Sequence, residues 1–289
     1  MNEGRVAVAS APGRLPLAGA VPGPRLSVAL DRRALCRVES GGSGVSVESK
    51  DTLTKLAAAD VAELVARAPG SIAARALELS GAEQPLAVVT EWKLPASSGV
   101  DADGALALAV TAALERALGR EPAPEELVRK AREAARRAGR PADDGVCAAA
   151  SGGVLLARGT GQAMAAATVA VDPGRVEEAL LLLDAGEPEG STVERPSDTR
   201  AEEIAAALVE GRSDDVVSLL GMEGHERLAG LVTAAGGAAW RLPGGRLMAV
   251  WAPPGARGPG RGEAVREALK AAGVKALKIR VDLRGLEVD

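Results

Sequence analysis

The stretch with the clearest capacity for chemistry is a small-residue loop that leads into an alanine- and leucine-rich segment. The loop covers residues 94–104, and the apolar segment runs on to Gly119. Almost every side chain from residue 105 to 114 is apolar, which predicts a helix buried on all sides. The free N–H groups and the positive dipole end at the start of such a helix favour a bound anion. The plain alternative is a core helix with a capped first turn.

Acidic side chains lie beside the candidate helix starts. Asp101 and Asp103 stand at the beginning of the buried helix, where carboxylates are good caps and repel a polyanion. Asp143 and Asp144 precede a short run of small residues, and their plain interpretation is a cap of that turn. His225 is the only histidine and has no Ser or Cys partner pattern, so it is predicted at a solvent-facing helix start rather than in catalysis.

The elements that must position these residues alternate between strands and helices. Strands are predicted over residues 5–10, 26–30, 34–39, 45–48, 86–90, 154–157, 166–171, 180–184, 246–251, 276–282 and 286–288. Helices are predicted over residues 53–68, 104–118, 124–138, 199–210, 213–221, 225–235 and 260–272. Residues 11–14 are predicted to break the first strand, and residues 139–153 are predicted to be a loop.

This mixture of strands and helices in both halves predicts an α+β protein with two layers in each domain. Asp172-Pro173-Gly174 has the composition of a boundary, which divides the chain into domains 1–174 and 175–289. We expect the two domains to meet at a cleft near residues 172–175.

Composition narrows the function classes. The net charge of −4 is spread over interleaved acidic and basic residues, which argues against a nucleic-acid partner. Cys36 and Cys147 lack the spacing of a zinc site, and no apolar run has membrane length, so we expect a cytoplasmic protein with no membrane partner. The chain has no Phe, no Tyr and a single Asn, which is typical of strong compositional bias or of deliberate engineering.

Three motifs resemble those of the GHMP small-molecule kinases. Residues 11–19 (APGRLPLAG) resemble the segment APGRVNLIGEH of that family, and residues 95–106 (PASSGVDADGAL) resemble its phosphate loop, PLGSGLSSSAAL. Residues 224–228 (GHERL) and 240–245 (WRLPGG) resemble the SHxSL segment and the third, glycine-rich motif. The order and spacing hold over roughly 270 residues, and the chain is most similar to galactokinases.

The resemblance implies a fold and a reaction. The fold is a two-domain α+β arrangement with an N-terminal half like domain 2 of ribosomal protein S5 and a ferredoxin-like C-terminal half. The reaction is phosphoryl transfer from ATP, with Mg²⁺, to a hydroxyl of a sugar or another small alcohol. The expected partner is therefore a small-molecule ligand, and the sequence does not indicate an oligomeric state.

The resemblance also implies roles for particular residues. Arg14 would stabilise the charge of the transferred phosphoryl group, and Asp144 is the nearest candidate for the base; a structural salt bridge is the alternative for Arg14. The positions implied in substrate binding are Gly19, Gly244 and Gly245. The positions implied in nucleotide binding are Ser97, Ser98, Gly99, Asp101, Asp103 and Gly104.

Several positions depart from the family pattern. Asp101, Ala102 and Asp103 stand where the family has serines, although an aspartate could instead bind Mg²⁺ directly. The acidic sugar-binding run is replaced by residues 20–23 (AVPG), and the position of the base falls one or two residues after Asp144. Two function classes follow: an ATP-dependent small-molecule kinase, or a non-catalytic pseudokinase that binds a ligand or a protein. A further alternative, indicated by the missing Phe and Tyr, is a designed or recoded sequence without a biological role.

Overall fold

The computed structural model describes residues 5–20, 22–93, 98–186, 200–220, 227–242, 246–253, 261–277 and 279–289. The first part of the chain forms β1 (Val6–Ala18), β2 (Arg25–Ser40), β3 (Val45–Ser49), β4 (Thr54–Ala58), α1 (Val61–Arg67), α2 (Ile72–Ser80), β5 (Leu86–Trp92), α3 (Asp103–Ala117), α4 (Pro124–Arg137), α5 (Asp143–Ser151), β6 (Val154–Arg158) and β7 (Ala165–Thr168). The remainder forms α6 (Pro173–Ala179), β8 (Leu180–Asp184), α7 (Ala201–Val209), α8 (Ser213–Leu220), α9 (Arg227–Ala234), β9 (Ala238–Arg241), β10 (Leu247–Trp251), α10 (Arg261–Ala271), β11 (Ala276–Leu277) and β12 (Glu287–Val288).

Two sheets organise the described residues. The larger has the strand order β12-β1-β2-β5-β3-β4, with β6 paired to the other end of β2 and β7 paired to β6. The smaller has the order β11-β8-β10-β9 and is antiparallel throughout. Its strands and helices follow the β-α-β-β-α-β pattern of a ferredoxin-like unit. The α+β fold with a ferredoxin-like second half is therefore confirmed, whereas the boundary after residue 174 stays a prediction.

The last strand of the chain lies in the first sheet. Strand β12 pairs with β1 in the register Ala9 to Val288, and the backbone N–H of Asp289 donates to the Val8 carbonyl at 2.8 Å. The Ser10 hydroxyl lies 3.5 Å from the Glu287 carboxylate, 277 residues later in the chain. The first and last strands of the described chain are thus neighbours in the larger sheet.

The predicted break at residues 11–14 is wrong, because β1 continues to Ala18. The strand absorbs the Pro-Gly pair through a register shift between Pro12 and Gly13 rather than by ending. A Cβ atom at Gly13 would lie 2.4 Å from Cη2 of Trp92, so the indole packs directly against the backbone of β1. The continuation matters for function because it carries Arg14 as a strand residue.

The predicted central helix is confirmed as α3. It is buried along most of its length and packs against β1, β2 and the helices α2, α4 and α5. Gly119 follows it with a φ of 72°, the left-handed conformation expected at a helix end. Because Phe and Tyr are absent, Ala, Leu and Val fill the space around α3, and the three Trp side chains supply the aromatic packing.

Three other predicted segments are wrong in type or extent. Residues 53–68 form strand β4 and helix α1 instead of one helix, because Asp60 caps α1 by accepting a hydrogen bond from the Glu63 N–H at 2.8 Å. Residues 139–153 contain helix α5 rather than a continuous loop. In the described part of residues 276–282, strand β11 covers only Ala276–Leu277, and Val281 forms an isolated bridge with Leu30. Among the described residues, no helix combines the length and apolar character needed to cross a membrane.

Candidate active site

A cavity of about 210 Å³ lies where the end of β1, the starts of α3 and α5, and strand β9 come together. The described residues that line it are Arg14, Pro16, Leu17, Ala18, Gly19, Ala20, Arg25, Asp101, Pro141, Ala142, Asp144, Trp240 and Arg241. They come from elements on both sheets. Residues 172–175 are not among the residues that line this cavity, and the predicted meeting of two domains near them stays a prediction.

Arg14 connects the two helix starts. Its Nη1 donates to Oδ2 of Asp144 at 2.8 Å, and its Nε donates to Oδ2 of Asp101 at 3.1 Å. The backbones of Arg14 and Asp101 also form a pair of hydrogen bonds, at 2.9 and 3.2 Å. The structure therefore brings together Arg14 and Asp144, which the sequence nominated from segments 130 residues apart.

Arg25 is a second cation at this carboxylate, and the sequence analysis missed it. Its Nε donates to Oδ2 of Asp144 at 2.8 Å, and its side chain is only 5% exposed. Its Nη atoms donate to the backbone carbonyls of Gly23 and Gly159, each at 2.8 Å. A charged residue that opens the apolar run 26–30 was the available sign of a buried role.

The electrostatics of the cluster keep Asp144 ionised. Burial by itself would raise the pKa of the Asp144 carboxyl, but the positive charges of Arg14 and Arg25 outweigh burial and hold that pKa below its ordinary value. The location of Asp144 in the first turn of α5 acts in the same direction through the helix dipole. The carboxylate is therefore a fixed hydrogen-bond acceptor at neutral pH.

Two glycines allow the helix starts to approach each other. A Cβ atom at Gly104 would lie 2.3 Å from the carbonyl carbon of Gly145, and one at Gly145 would lie 2.4 Å from Oδ2 of Asp101. Helices α3 and α5 consequently touch backbone to backbone at their N-terminal ends. This contact brings Asp101 and Asp144 close enough for both carboxylates to bind Arg14.

The predicted caps are only partly present. Asp101 accepts from the Gly104 N–H through its Oδ1, at a long 3.4 Å, while its other oxygen binds Arg14. Ala142, rather than Asp143 or Asp144, is the residue before α5, and neither aspartate caps that helix. Asp143 instead accepts from the Gly161 N–H at 3.1 Å.

Of the other site residues predicted from the sequence, some line the cavity and some do not. Gly19 lines the cavity, and its φ of 85° brings it so close to Pro24 that a Cβ atom would lie 2.0 Å from that carbonyl oxygen. Asp103 pairs with Arg140 at 3.2 Å and does not line the cavity. Three further nominated residues, Ser98, Gly99 and Gly104, are also absent from its walls. Ser97, Gly244, Gly245 and His225 lie outside the described residues.

Strand β9 closes the cavity from the second sheet. Trp240 is 5% exposed, and its Nε1 donates to the Pro16 carbonyl at 3.3 Å. Arg241 is 9% exposed and donates from Nη1 to the Gly186 carbonyl at 2.9 Å. The sequence analysis placed Trp240 and Arg241 in the third motif but gave Arg241 no role.

The architecture matches solved small-molecule kinases over the full chain. A protein from Campylobacter jejuni, provisionally named a sugar kinase, aligns with a TM-score of 0.73 and 14% identity over 100% of this chain and 99% of its own. The fold is that of the GHMP small-molecule kinases. The mevalonate kinase of Methanococcus jannaschii gives a TM-score of 0.65 at 12% identity, covering 95% of this chain and 98% of its own.

A third structure extends the same likeness. The homoserine kinase of Cytophaga hutchinsonii aligns with a TM-score of 0.64 and 16% identity over 98% of this chain and 97% of its own. No protein-family model and no curated protein sequence matches the chain. These likenesses establish the fold, and the function has to be argued from the cavity.

Proposed function

We propose that the protein is a kinase that transfers a phosphoryl group from ATP to a hydroxyl group of a small molecule. The observation that carries the proposal is the contact of 2.8 Å between Arg14 and Asp144 at the wall of the cavity. Phosphoryl transfer requires little more than a positioned acceptor and a cation near the developing charge. An arginine and an ionised aspartate in one small cavity supply both. The likeness in fold to solved kinases supports the same reaction class.

In the proposed reaction, Asp144 accepts a hydrogen bond from the acceptor hydroxyl and orients its oxygen. The hydroxyl oxygen forms a bond to the terminal phosphorus of ATP as the bond from that phosphorus to the ADP oxygen breaks, and the electron pair leaves on ADP. The hydroxyl proton passes to Asp144 and then to water. Arg14 stabilises the negative charge on the transferred group. Arg25 is a positioning residue, because its Nε binds the Asp144 carboxylate while its other side-chain nitrogens are held by the Gly23 and Gly159 carbonyls.

The residues near the start of α3 fit a nucleotide phosphate and a magnesium ion in part. ATP would supply the phosphoryl group, and Mg²⁺ would neutralise its charge. Oxygen ligands suit Mg²⁺, which combines a few carboxylates with substrate phosphates, and Asp101 and Asp144 offer such oxygens at the cavity. Within the described residues, no group of three or more His, Cys, Asp or Glu side chains forms a metal site without help from a substrate. The resemblance would place the phosphates at the backbone N–H groups of residues 98–104, but those of Val100, Asp101 and Gly104 already donate to Ser98, Arg14 and Asp101.

A non-catalytic binding protein is the second candidate, and one observation favours it. Asp101 binds Arg14 at 3.1 Å and places a negative charge at the helix start where the resemblance expects serines and phosphate. If that ion pair does not open, the cavity holds a ligand without transferring phosphate to it. The two candidates differ in one measurable quantity, which is the release of ADP.

A coupled assay of ADP release, over a panel of sugars and short hydroxy acids with galactose included, tests the proposal. We expect turnover with at least one acceptor, and Arg14→Met to lower kcat by on the order of a thousandfold, the scale of arginine in phosphoryl transfer. Asp144→Asn is expected to lower kcat by about 10²–10⁴-fold. Because the pKa of Asp144 is held low, activity of the unaltered enzyme should persist to acidic pH before this group is protonated.

The matched control is Arg158→Met, since Arg158 is an exposed arginine that pairs with Glu202 away from the cavity lining. It should retain full turnover. Folding of each variant is checked by thermal unfolding. The check is needed because Asp144 pairs with two largely buried guanidinium groups, so its substitution also weakens two ion pairs of the fold. Absence of ADP release with every acceptor would favour the binding protein, and turnover that survives both site substitutions would contradict the assigned roles.

A further inference from the structure

A second concave surface lies at the edge of the smaller sheet that is far from the cavity. In the strand order β11-β8-β10-β9, strand β9 lines the cavity, whereas β11 and β8 border this groove together with the second half of α10. The groove has a volume of about 400 Å³, which is within the range typical of ligand pockets. It shares no lining residue with the cavity, so it is a separate place on the molecule.

The floor of this groove is apolar. Leu269 is 2% exposed and belongs to the core between α10 and the smaller sheet, and Leu181 and Val274 pack against that core while remaining partly open to water. Gly273 ends α10 with a φ of 71°, and the backbone N–H of Val274 donates back to the Leu269 carbonyl at 3.0 Å. Ala276 of β11 extends the floor and is exposed. Such a surface favours a ligand with apolar carbon atoms.

The charged residues around this floor all have the same sign. Arg266, Lys270 and Lys275 line the groove, and none of its described lining residues is acidic. Arg266 and Lys270 are four positions apart on α10, a spacing at which like charges repel. Arg266 donates to the Glu178 carbonyl, which holds the guanidinium group without neutralising it. Among the described residues, Lys270 and Lys275 form no ion pair.

The helix dipole explains only part of this charge. Lys270 lies in the last turn of α10, where a cation is favourable, but Lys275 lies beyond the end of the helix. The groove therefore combines an apolar floor with positive charge that a bound anion would offset.

We propose that this groove binds a single-chain amphiphile with an anionic head group, either a carboxylate or a phosphate monoester. The head group lies between Lys270 and Lys275, and the carbon chain lies on Leu181 and Val274. A partner protein would need a larger surface, because a stable protein interface buries about 1,000 Å² or more and β11 offers only two strand residues. The proposal does not depend on the kinase function, since the two sites have no residue in common.

NMR titration of the isotope-labelled full chain tests the proposal with defined probes. The probes are octanoate, octyl phosphate, butyrate and octanamide, each below its micellar concentration. We expect octanoate to bind on the order of 10- to 100-fold more tightly than butyrate, because each buried methylene group adds about fourfold. It should bind about 3- to 10-fold more tightly than octanamide, because each exposed charge contributes modestly. The amide signals of Lys270, Val274 and Ala276 should shift, and octyl phosphate distinguishes the two head groups.

Exposed positions in the groove provide variants that leave the core intact. The double variant Lys270→Gln with Lys275→Gln should remove the preference for octanoate over octanamide. Its matched control is Lys50→Gln with Lys55→Gln, which removes the same charge from exposed lysines near the turn between β3 and β4 and should retain the preference. Ala276→Glu, which adds a carboxylate to the floor, should abolish octanoate binding, whereas Ala276→Gln should largely retain it.

Several outcomes would overturn the inference. These are no binding of octanoate or octyl phosphate, equal binding of octanoate and octanamide, equal binding of octanoate and butyrate, and signal shifts confined to residues outside the groove. Binding to vesicles of anionic phospholipid without binding of the monomeric amphiphiles would also overturn it, because that is association with a lipid surface. None of these outcomes changes the result of the ADP-release assay, which depends on the cavity.

Discussion

At the scale of single residues, Asp101 and Asp103 illustrate how two adjacent carboxylates acquire different surroundings. Asp101 faces the cavity and shares Arg14 with Asp144. Asp103 is the first residue of α3. Its side chain is 38% exposed and pairs with Arg140. Burial raises the pKa of the Asp103 carboxyl, and the charge of Arg140 opposes that effect. Of these two aspartates, Asp101 lines the cavity and Asp103 does not.

We therefore expect Asp101→Ser to strengthen the binding of Mg·ATP by on the order of tenfold, because it removes a negative charge near the polyanion. Asp103→Ser is the matched control, and its effect should be smaller because Arg140 and solvent already offset the charge. Calorimetric titration of both variants with Mg·ATP measures the difference. Weaker nucleotide binding in Asp101→Ser would instead identify Asp101 as a ligand of Mg²⁺.

The sequence predicted part of this residue-level arrangement. Arg14 and Asp144 were nominated because their segments resemble motifs whose chemistry requires a cation and a carboxylate. Arg25 and Arg241 were not nominated, because the direction in which a strand residue points is known only once the neighbouring strands are known. The contact of Arg25 with Asp144 joins residues 119 positions apart in the sequence, which no local pattern encodes.

At the scale of elements, the cavity depends on the close approach of α3 and α5. The approach is possible because Gly104 and Gly145 have no side chains at the contact. Any side chain at Gly104 would meet backbone atoms of α5, and backbone atoms cannot move aside as a flexible side chain can. The two helix starts, and hence the two aspartates, are held at a separation that one arginine can span.

We expect Gly104→Ala to lower the free energy of unfolding by about 1–3 kcal/mol, the usual cost of overpacking a filled contact. Gly230→Ala is the control, because Gly230 lies within helix α9 and a Cβ atom there would meet nothing within 4 Å. That variant should gain about 0.5–1 kcal/mol from better helix propensity. Urea denaturation measures both, and shifts of the same sign would contradict the packing argument.

Helices with clear local signals were predicted well, and those that depend on tertiary contacts were not. Helix α4 carries acidic residues in its first turn and basic residues in its last, so its ends were readable. Helix α5 consists mainly of small residues and was predicted as a loop, since its stability comes from packing on α3 and β1. Strand β9 was missed for a related reason: its four residues become a strand only beside β10.

At the scale of the whole molecule, a buried ion pair attaches the end of the chain to the first sheet. The Asp282 carboxylate is fully buried and accepts a hydrogen bond from Arg33 of β2. Its Oδ1 also accepts from the backbone N–H groups of Arg284 and Gly285, at 2.9 and 3.2 Å. The segment that leads into β12 is thus fixed by Asp282 before it reaches β1.

We expect Asp282→Asn to lower the free energy of unfolding by about 1–3 kcal/mol, because Arg33 would lose its buried carboxylate partner and keep only the more exposed Glu287, at 3.0 Å. The control is Asp184→Asn, since Asp184 forms an exposed pair with Arg246 and such pairs contribute about 0–1 kcal/mol. Denaturant unfolding compares the two variants. A small effect at Asp282 would show that the strand pairing of β12 alone holds this segment.

The pairing of β1 with β12 has a consequence for how the protein is made. On the ribosome, residues 6–18 emerge long before residues 287–289, and in that interval the edge of β1 that binds β12 has no partner from β12. An open strand edge is a template for pairing with other chains. Pro12 and Pro16 reduce that hazard, because neither can donate a backbone hydrogen bond to a foreign strand. Nascent chains are therefore open to intermolecular strand pairing at this edge until β12 has been synthesised and has paired with β1.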